Sequence, residues 1–196
     1  MKLILASASP RRKELMGLFR VPFEVRPVDI DETLDPNLPP MEAVAELSMR
    51  KAKAARPAWG ELVIAADTIV VCKKKVQGKP ATLILGKPHD QEEAYEMLSM
   101  LSGREHEVMT GVTVTNGALT RTVTEVTKVR FRELTRKEKL AYIATGEPMD
   151  KAGAYAIQGG AAKFCTGIEG DYYNVVGLPV CQVYQMVQFL HPGLIE

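Results

Sequence analysis

The sequence has no excess of charge of either sign, few cysteines and no long apolar run. Lysine plus arginine number 25 against 24 aspartate plus glutamate, a formal net charge of +1. Proteins that bind nucleic acid polymers usually carry a basic excess, so such a partner is not expected and any phosphate recognition must be local. The three cysteines, Cys72, Cys165 and Cys181, lie far apart with no CxxC and no histidine at ligand spacing. They read as reduced, structural thiols of a cytosolic protein. The apolar run at residues 3–6 is shorter than the roughly 7–15 residues of a secretory h-region, and no run approaches the roughly 18 needed to span a bilayer. The expectation is a cytoplasmic protein with no membrane partner. No HExxH pairs the histidines His89, His106 and His191, and no GxSxG supplies a nucleophile elbow, so metalloprotease and esterase chemistry fall away. What is present is ordinary for a globular protein: 46% hydrophobic and 25% charged residues over 196 positions. That is ample material for a core and a length suited to one domain, with or without two lobes.

Strands and helices alternate along the chain, which indicates an α/β or mixed α+β class. Residues 3–6 predict a buried strand, and Ser9 followed by Pro10 predicts a helix start, Ser at the cap and Pro in the first turn. Residues 23–28 predict a second strand. An acidic loop follows with Asp29, Asp31, Glu32 and Asp35, then a stretch stiffened by Pro36, Pro39 and Pro40, then a helix over 41–55. Residues 62–71 predict a buried strand interrupted by Asp67 and Thr68. Residues 73–86 predict a hairpin or a loop excursion, and 89–101 an amphipathic helix. Two alternating strands, 108–114 and 123–131, meet around Asn116-Gly117. Thr135 and Glu138 form a capping box that opens a helix ending near Gly146. The region around Phe164 and residues 172–176 predict further strands, and 178–190 the last helix.

Four groups of residues carry possible chemistry. Ser7-Ala8-Ser9-Pro10-Arg11-Arg12 sits at a predicted strand–turn–helix junction. Unpaired backbone N–H groups, two hydroxyls and two guanidiniums there suit a phosphate, although a capped helix followed by a solvated basic turn has the same sequence. Asp67 lies in an apolar run, where a carboxylate is costly unless paired, hydrogen-bonded or metal-bound; a buried cap for backbone N–H groups is the other reading. The acidic loop offers hard oxygen ligands for Mg²⁺ or Mn²⁺, or is simply solvated. Lys51, Lys79 and Lys87 are candidate phosphate cations, the last two inside the repeated tripeptide Gly78-Lys79-Pro80 and Gly86-Lys87-Pro88. Cations with a few carboxylates suit metal-assisted attack of water on a phosphoanhydride.

These residues also resemble a family, the Maf-like nucleoside triphosphate pyrophosphatases. The likeness runs in order through Ser7-x-Ser9-Pro10-Arg11-Arg12, Glu32, Lys51-Ala52, Ala66-Asp67-Thr68, Gly86-Lys87-Pro88, Thr110-Gly111-Val112 and Gly146-Glu147-Pro148. It closes with residues 150–159 and Val175-Val176-Gly177-Leu178-Pro179, and so covers essentially the whole chain. It implies a mixed α/β fold in one domain: an elongated twisted sheet flanked by helices, with two lobes and a central cleft, similar to inosine triphosphate pyrophosphatases. It implies hydrolysis of a nucleoside triphosphate to monophosphate and pyrophosphate with a divalent metal, Mg or Mn, in a homodimer. By position, Asp67 matches the catalytic carboxylate and Glu32 a metal-side carboxylate. Ser9, Arg12, Lys51 and Lys87 match phosphate-site residues, beside Ser7 of the same motif. Arg11, Thr68 and Gln158 match positions tied to base specificity. The stretch Ala156-Ile157-Gln158-Gly159 looks like the subgroup acting on dTTP and UTP; a Gln amide offers one donor and one acceptor, matching N3–H and O4 of thymine or uracil. The longer stretch at 73–85 makes Lys87 a better match than Lys79. The alternatives are a non-catalytic nucleotide-sensing regulator of septum formation, and a pyrophosphatase for 7-methyl-GTP or modified pyrimidine nucleotides. The cellular role expected is removal of non-standard or excess pyrimidine nucleotides, with a link to division arrest left open.

Overall fold

The computed structural model describes residues 1–35, 37–76 and 79–195, and the side chains of 74–80 are not among what it describes. Pro36 and the Lys79 side chain, both singled out above, therefore lie outside the described residues. The chain forms a mixed α/β structure with a seven-stranded sheet flanked by helices. The strands are β1 (Lys2–Leu5), β2 (Phe23–Val25), β3 (Glu61–Val76), β4 (Lys79–Leu85), β5 (Glu105–Thr115), β6 (Thr120–Phe131) and β7 (Cys165–Glu169). Their order is β2-β1-β3-β5-β6-β7, with β4 paired on β3. β1 lies parallel to β2 and to β3, whereas β4 is antiparallel to β3 and β7 antiparallel to β6. The helices are α1 (Pro10–Gly17), α2 (Pro40–Ala54), α3 (Gln91–Leu101), α4 (Arg136–Ile143), α5 (Tyr172–Val176) and α6 (Val180–Leu190).

The chain divides into two compact units. The first comprises Met1–Thr68, Thr110–Glu125 and Tyr173–Glu196. Its core rests on period-2 alternation in β1 and β3: Ile4, Ala6, Val63 and Ala65 pack with Ala52 and Ala55 from the end of α2, and Val28 covers the edge. Gly111 in β5 lets that strand run against the backbone of α2, because a Cβ there would sit 2.1 Å from the Val44 carbonyl oxygen. The second unit comprises Ile69–Met109 and Val126–Tyr172. Its core includes an aromatic cluster: Phe131 meets His106, Tyr155 and Phe164 edge-on, and Tyr142 meets Phe164 at 90°.

Most predicted elements are present, and the differences have local causes. The strand expected over 23–28 keeps only Phe23–Val25. The strand expected over 62–71 is present and runs through Asp67 and Thr68, whose side chains meet Lys51 and Arg12. Of the two readings for 73–86, the hairpin is observed, with Val70 opposite Leu85. Phe164 ends a short 3-10 turn, and the strand follows it at Cys165–Glu169. The strand expected over 172–176 is instead the one-turn helix α5. Its Tyr and Val residues favour strands only weakly. Gly177 overrides that preference: at φ +125° its N–H and that of Leu178 both donate to the Tyr173 carbonyl at 3.0 Å and close the turn.

Candidate active site

The first unit gathers the strand β1, the start of α1, the end of α2 and the middle of β3. Ser9 caps α1 with extended φ/ψ, Pro10 occupies its first turn, and the Lys13 N–H donates to the Ser9 carbonyl at 3.1 Å. Ser7 is buried, and its hydroxyl accepts from the Ser9 N–H at 3.2 Å. The sequence motif thus becomes a folded turn in which both hydroxyls already serve the backbone.

Arg12 is committed to the protein itself. Its Nε donates to the Gly177 carbonyl at 2.8 Å, Nη1 to the Ala66 carbonyl at 2.7 Å and to Ser7 Oγ at 3.4 Å, and Nη2 to Thr68 Oγ1 at 3.0 Å. Four of the five donors of a guanidinium are used in this way. Burial holds its pKa below the ordinary value; the Asp67 and Glu32 charges work against that shift, and Arg11 works with it. Thr68 continues the chain of bonds. Its hydroxyl lies 2.9 Å from that of Thr110, which donates to the Asn174 carbonyl at 3.2 Å. Thr110 has one proton, so Thr68 donates to Thr110 and accepts from Arg12. Arg11 is half-buried on the same first turn of α1.

On the neighbouring position of β3, Asp67 is buried and receives Lys51. The Lys51 Nζ reaches Asp67 Oδ1 at 2.6 Å and Glu32 Oε1 at 2.7 Å. The side chains of Lys51 and Asp67 are 13% and 12% exposed, that of Glu32 60%. One ammonium therefore joins the acidic loop, α2 and β3, and it brings together the three residues that the sequence offered separately. Asp67 Oδ2 has no hydrogen bond among the described residues.

Among the described residues no group of three or more His, Cys, Asp and Glu could hold a metal. Glu32 and Asp67 nevertheless fit a divalent ion bound jointly with substrate. Both present hard oxygen atoms to one cation, Lys51, and Mg²⁺ usually takes one or two carboxylates and completes its shell with water and phosphate oxygens.

Lys87 and Gln158 belong to the second unit, and both are exposed. Lys87 stands between Gly86 and Pro88, and the Gly86 carbonyl accepts from the Gly153 N–H at 2.9 Å. Gln158 lies in the turn before the 3-10 segment Gly160–Phe164. Sequence reasoning missed Thr110, Gly177, Tyr142 and Glu147 as members of the hydrogen-bond framework. Thr110, Glu147 and Gly177 were signalled only by the likeness of Thr110-Gly111-Val112, Gly146-Glu147-Pro148 and Val175–Pro179 to family motifs, which does not say what a residue touches, and Tyr142 lies in none of those motifs.

The architecture is that of a HAM1 protein from Coxiella burnetii, which superposes with a TM-score of 0.54 over 96% of this chain and 99% of that one at 16% identity. That likeness defines the fold. The family follows from sequence: a family model described as Maf-like protein matches residues 2–190, and the chain belongs to this family. A relative from Moorella thermoacetica, named dTTP/UTP pyrophosphatase, is 47% identical over 192 residues, 95% of this chain and 93% of that protein. Another of the same name, from a Geobacillus species, is 49% identical over 190 residues, 96% of this chain and 98% of that protein.

Proposed function

We propose that the chain is a nucleoside triphosphate pyrophosphatase that hydrolyses dTTP and UTP to the monophosphate and pyrophosphate. The observation that carries the reaction is the Lys51 ammonium of α2, which holds Glu32 of the acidic loop together with Asp67 of β3. The base preference rests on relatives of that name at 47% and 49% identity and on Gln158.

In this reading Lys51 fixes Asp67 Oδ1, which aims Oδ2 at the attacking water. Asp67 takes the water's proton as the new bond to the α-phosphorus forms and the bond to the bridging oxygen breaks, releasing pyrophosphate. Such general-base help is typically worth about 10²–10⁴-fold. A divalent cation, Mg²⁺ or Mn²⁺, held by Glu32, Asp67 and phosphate oxygens would offset the charge of the triphosphate and its leaving group. Arg12 sets the relation of α1 to β3 through its bonds to Ala66 and Thr68, and keeps one N–H for substrate. Ser7, Ser9, Arg11 and Lys87 supply further phosphate or nucleotide contacts, a role supported by their family motifs. Gln158 pairs its amide with N3–H and O4 of the base, and Thr68 acts on specificity through its bond to Arg12. The enzyme works as a single-domain cytoplasmic homodimer that removes non-standard or excess pyrimidine nucleotides.

The test is pyrophosphate release from dTTP, UTP, CTP, GTP and 7-methyl-GTP with Mg²⁺ or Mn²⁺, on the wild type and on Asp67→Asn. Release from dTTP and UTP that falls at least about 10²-fold in Asp67→Asn is expected. Undiminished turnover in the variant removes Asp67 from the chemistry, GTP outrunning both pyrimidines overturns the base assignment, and triphosphate binding without release favours the nucleotide sensor.

A further inference from the structure

Gln158 sits in a turn whose two ends are tied to the same pair of side chains. The Ala156 N–H donates to the Tyr142 hydroxyl at 3.0 Å. The Gly160 N–H donates to both carboxylate oxygens of Glu147, each at 3.1 Å. Tyr142 then closes the loop by donating its own proton to Glu147 Oε1 at 2.7 Å. A phenol has one proton, so every bond direction in this ring is fixed: Ala156 N–H to Tyr142, Tyr142 to Glu147, Gly160 N–H to Glu147. Inside it the Gly159 N–H donates to the Ala156 carbonyl at 3.1 Å. Gln158 is the exposed residue of the bracketed turn, and Ile157 beside it is buried.

The supporting residues are themselves rigid. Tyr142 is buried, near the end of α4, whose start is secured by the capping box of Thr135 and Glu138. Its ring stands edge-on to Phe164 at 5.4 Å. Burial and the bond to Glu147 both raise its pKa above the ordinary value, so it remains a donor. The two glycines after Gln158 exist to admit this pair. A Cβ at Gly159 would lie 2.2 Å from Glu147 Oε1, and one at Gly160 would lie 3.2 Å from the Tyr142 ring. The carboxylate and the ring occupy the space that side chains would need.

We infer that Tyr142 and Glu147 are positioning residues for base recognition: they hold the backbone two residues either side of Gln158 and so aim its amide. This rests on the reading of Gln158 as the residue that meets the base. Neither residue need touch the nucleotide. A recognition group must be held to about 0.5 Å by its supporting shell, and a misplacement of about 1 Å by a distant change can cost about a hundredfold. Releasing one end of the turn lets the amide lose its match to N3–H and O4 of thymine. Cytosine reverses donor and acceptor at those positions and is matched only by the amide turned over end for end, so losing the orientation that suits thymine weakens dTTP and not CTP.

The experiment measures kcat and KM for dTTP and CTP on the wild type, Gln158→Ala, Tyr142→Phe, Glu147→Gln and the double variant Tyr142→Phe/Gln158→Ala. Tyr142→Phe keeps the ring and its packing, so the fold persists. It is expected to lower kcat/KM for dTTP about tenfold or more, mainly through KM, with CTP unchanged, and the double variant is expected to be no worse than Gln158→Ala. Glu147→Gln is expected to act in the same direction. Amide exchange at Gly160, which needs no substrate, is expected to quicken in Glu147→Gln. If Gln158→Ala narrows the dTTP preference while Tyr142→Phe and Glu147→Gln keep it, or lower both substrates equally, this inference falls and the role of Gln158 stands. If Gln158→Ala itself keeps the wild-type preference, the role of Gln158 falls and this inference with it.

Discussion

Lys51 carries two carboxylates of unequal burial, and substitutions can separate what each contributes. Its bond to Asp67 joins side chains that are 13% and 12% exposed. Lys51→Met therefore leaves a buried carboxylate without its cation, a change that costs about 3 kcal/mol or more. For a chain of this size that lowers Tm by about 6–12 °C, alongside loss of turnover. The bond to Glu32, 60% exposed, is worth less than about 1 kcal/mol. Glu32→Gln should thus leave Tm within about 4 °C and raise the Mg²⁺ needed for half-maximal turnover about tenfold. A thermal melt and a metal titration on the two variants check both, and an unchanged Mg²⁺ dependence removes Glu32 from the metal. Asp67 was legible in the sequence because a carboxylate within Ile64-Ala65-Ala66 demands a partner. The partner was not, since nothing near Lys51-Ala52 says which strand the end of α2 faces. Arg12 shows the limit more sharply. It was readable as a cation at a helix start, yet most of its donors go to its own chain, and one acceptor, the Gly177 carbonyl, lies 165 positions away.

At the scale of elements, the start of α1 was readable from Ser9 and Pro10 alone, and the capping box named α4 correctly, because both signals act within one turn. α5 was misread as a strand, since what ends it is the backbone of Gly177 and not the preference of Tyr172, Tyr173, Val175 and Val176. Element packing leads to a prediction at Gly111. There β5 passes so close to α2 that a Cβ would lie 2.1 Å from the Val44 oxygen and 2.7 Å from the Ala45 nitrogen. Both are backbone atoms of a helix and cannot rotate away, so Gly111→Ala must shift α2 bodily. The helix carries Lys51 near its other end. The expected result is a loss of about 3 kcal/mol, in the range of core overpacking, read as a Tm lower by about 6–12 °C. Turnover should fall further than the stability loss explains, because Lys51 leaves Asp67. A variant that melts early yet retains wild-type kcat at a temperature where it is folded would show that α2 adjusts without moving its lysine.

At the scale of the whole molecule, the pH dependence of stability between neutral and mildly acid conditions falls chiefly to the buried His106. It is buried among Phe131 and Tyr155, its Nε2 lies 2.8 Å from the Tyr155 hydroxyl, and its Nδ1 has no partner among the described residues. Burial pushes its pKa from 6.5 down to about 4. The folded protein therefore keeps His106 neutral where the unfolded chain would protonate it. Above pH 6.5 neither state binds the proton and His106 contributes nothing to the pH dependence. Between pH 6.5 and about 4 the unfolded chain binds more protons, so stability falls as pH falls. The full difference is about 3 kcal/mol, of which roughly half or more is present at pH 5. The ion-paired Glu61 and Glu138, both held down to about 2, lose their contribution only as pH falls below 4.5. A comparison of pH 7 with pH 5 therefore isolates the histidine. Melting curves should show the wild type losing about 4–8 °C over that interval. His106→Gln starts lower, having lost its bond to Tyr155, but its Tm should change much less between the two pH values. Equal slopes for the two proteins would mean that the acid sensitivity lies elsewhere and that His106 takes up its proton without leaving the aromatic core.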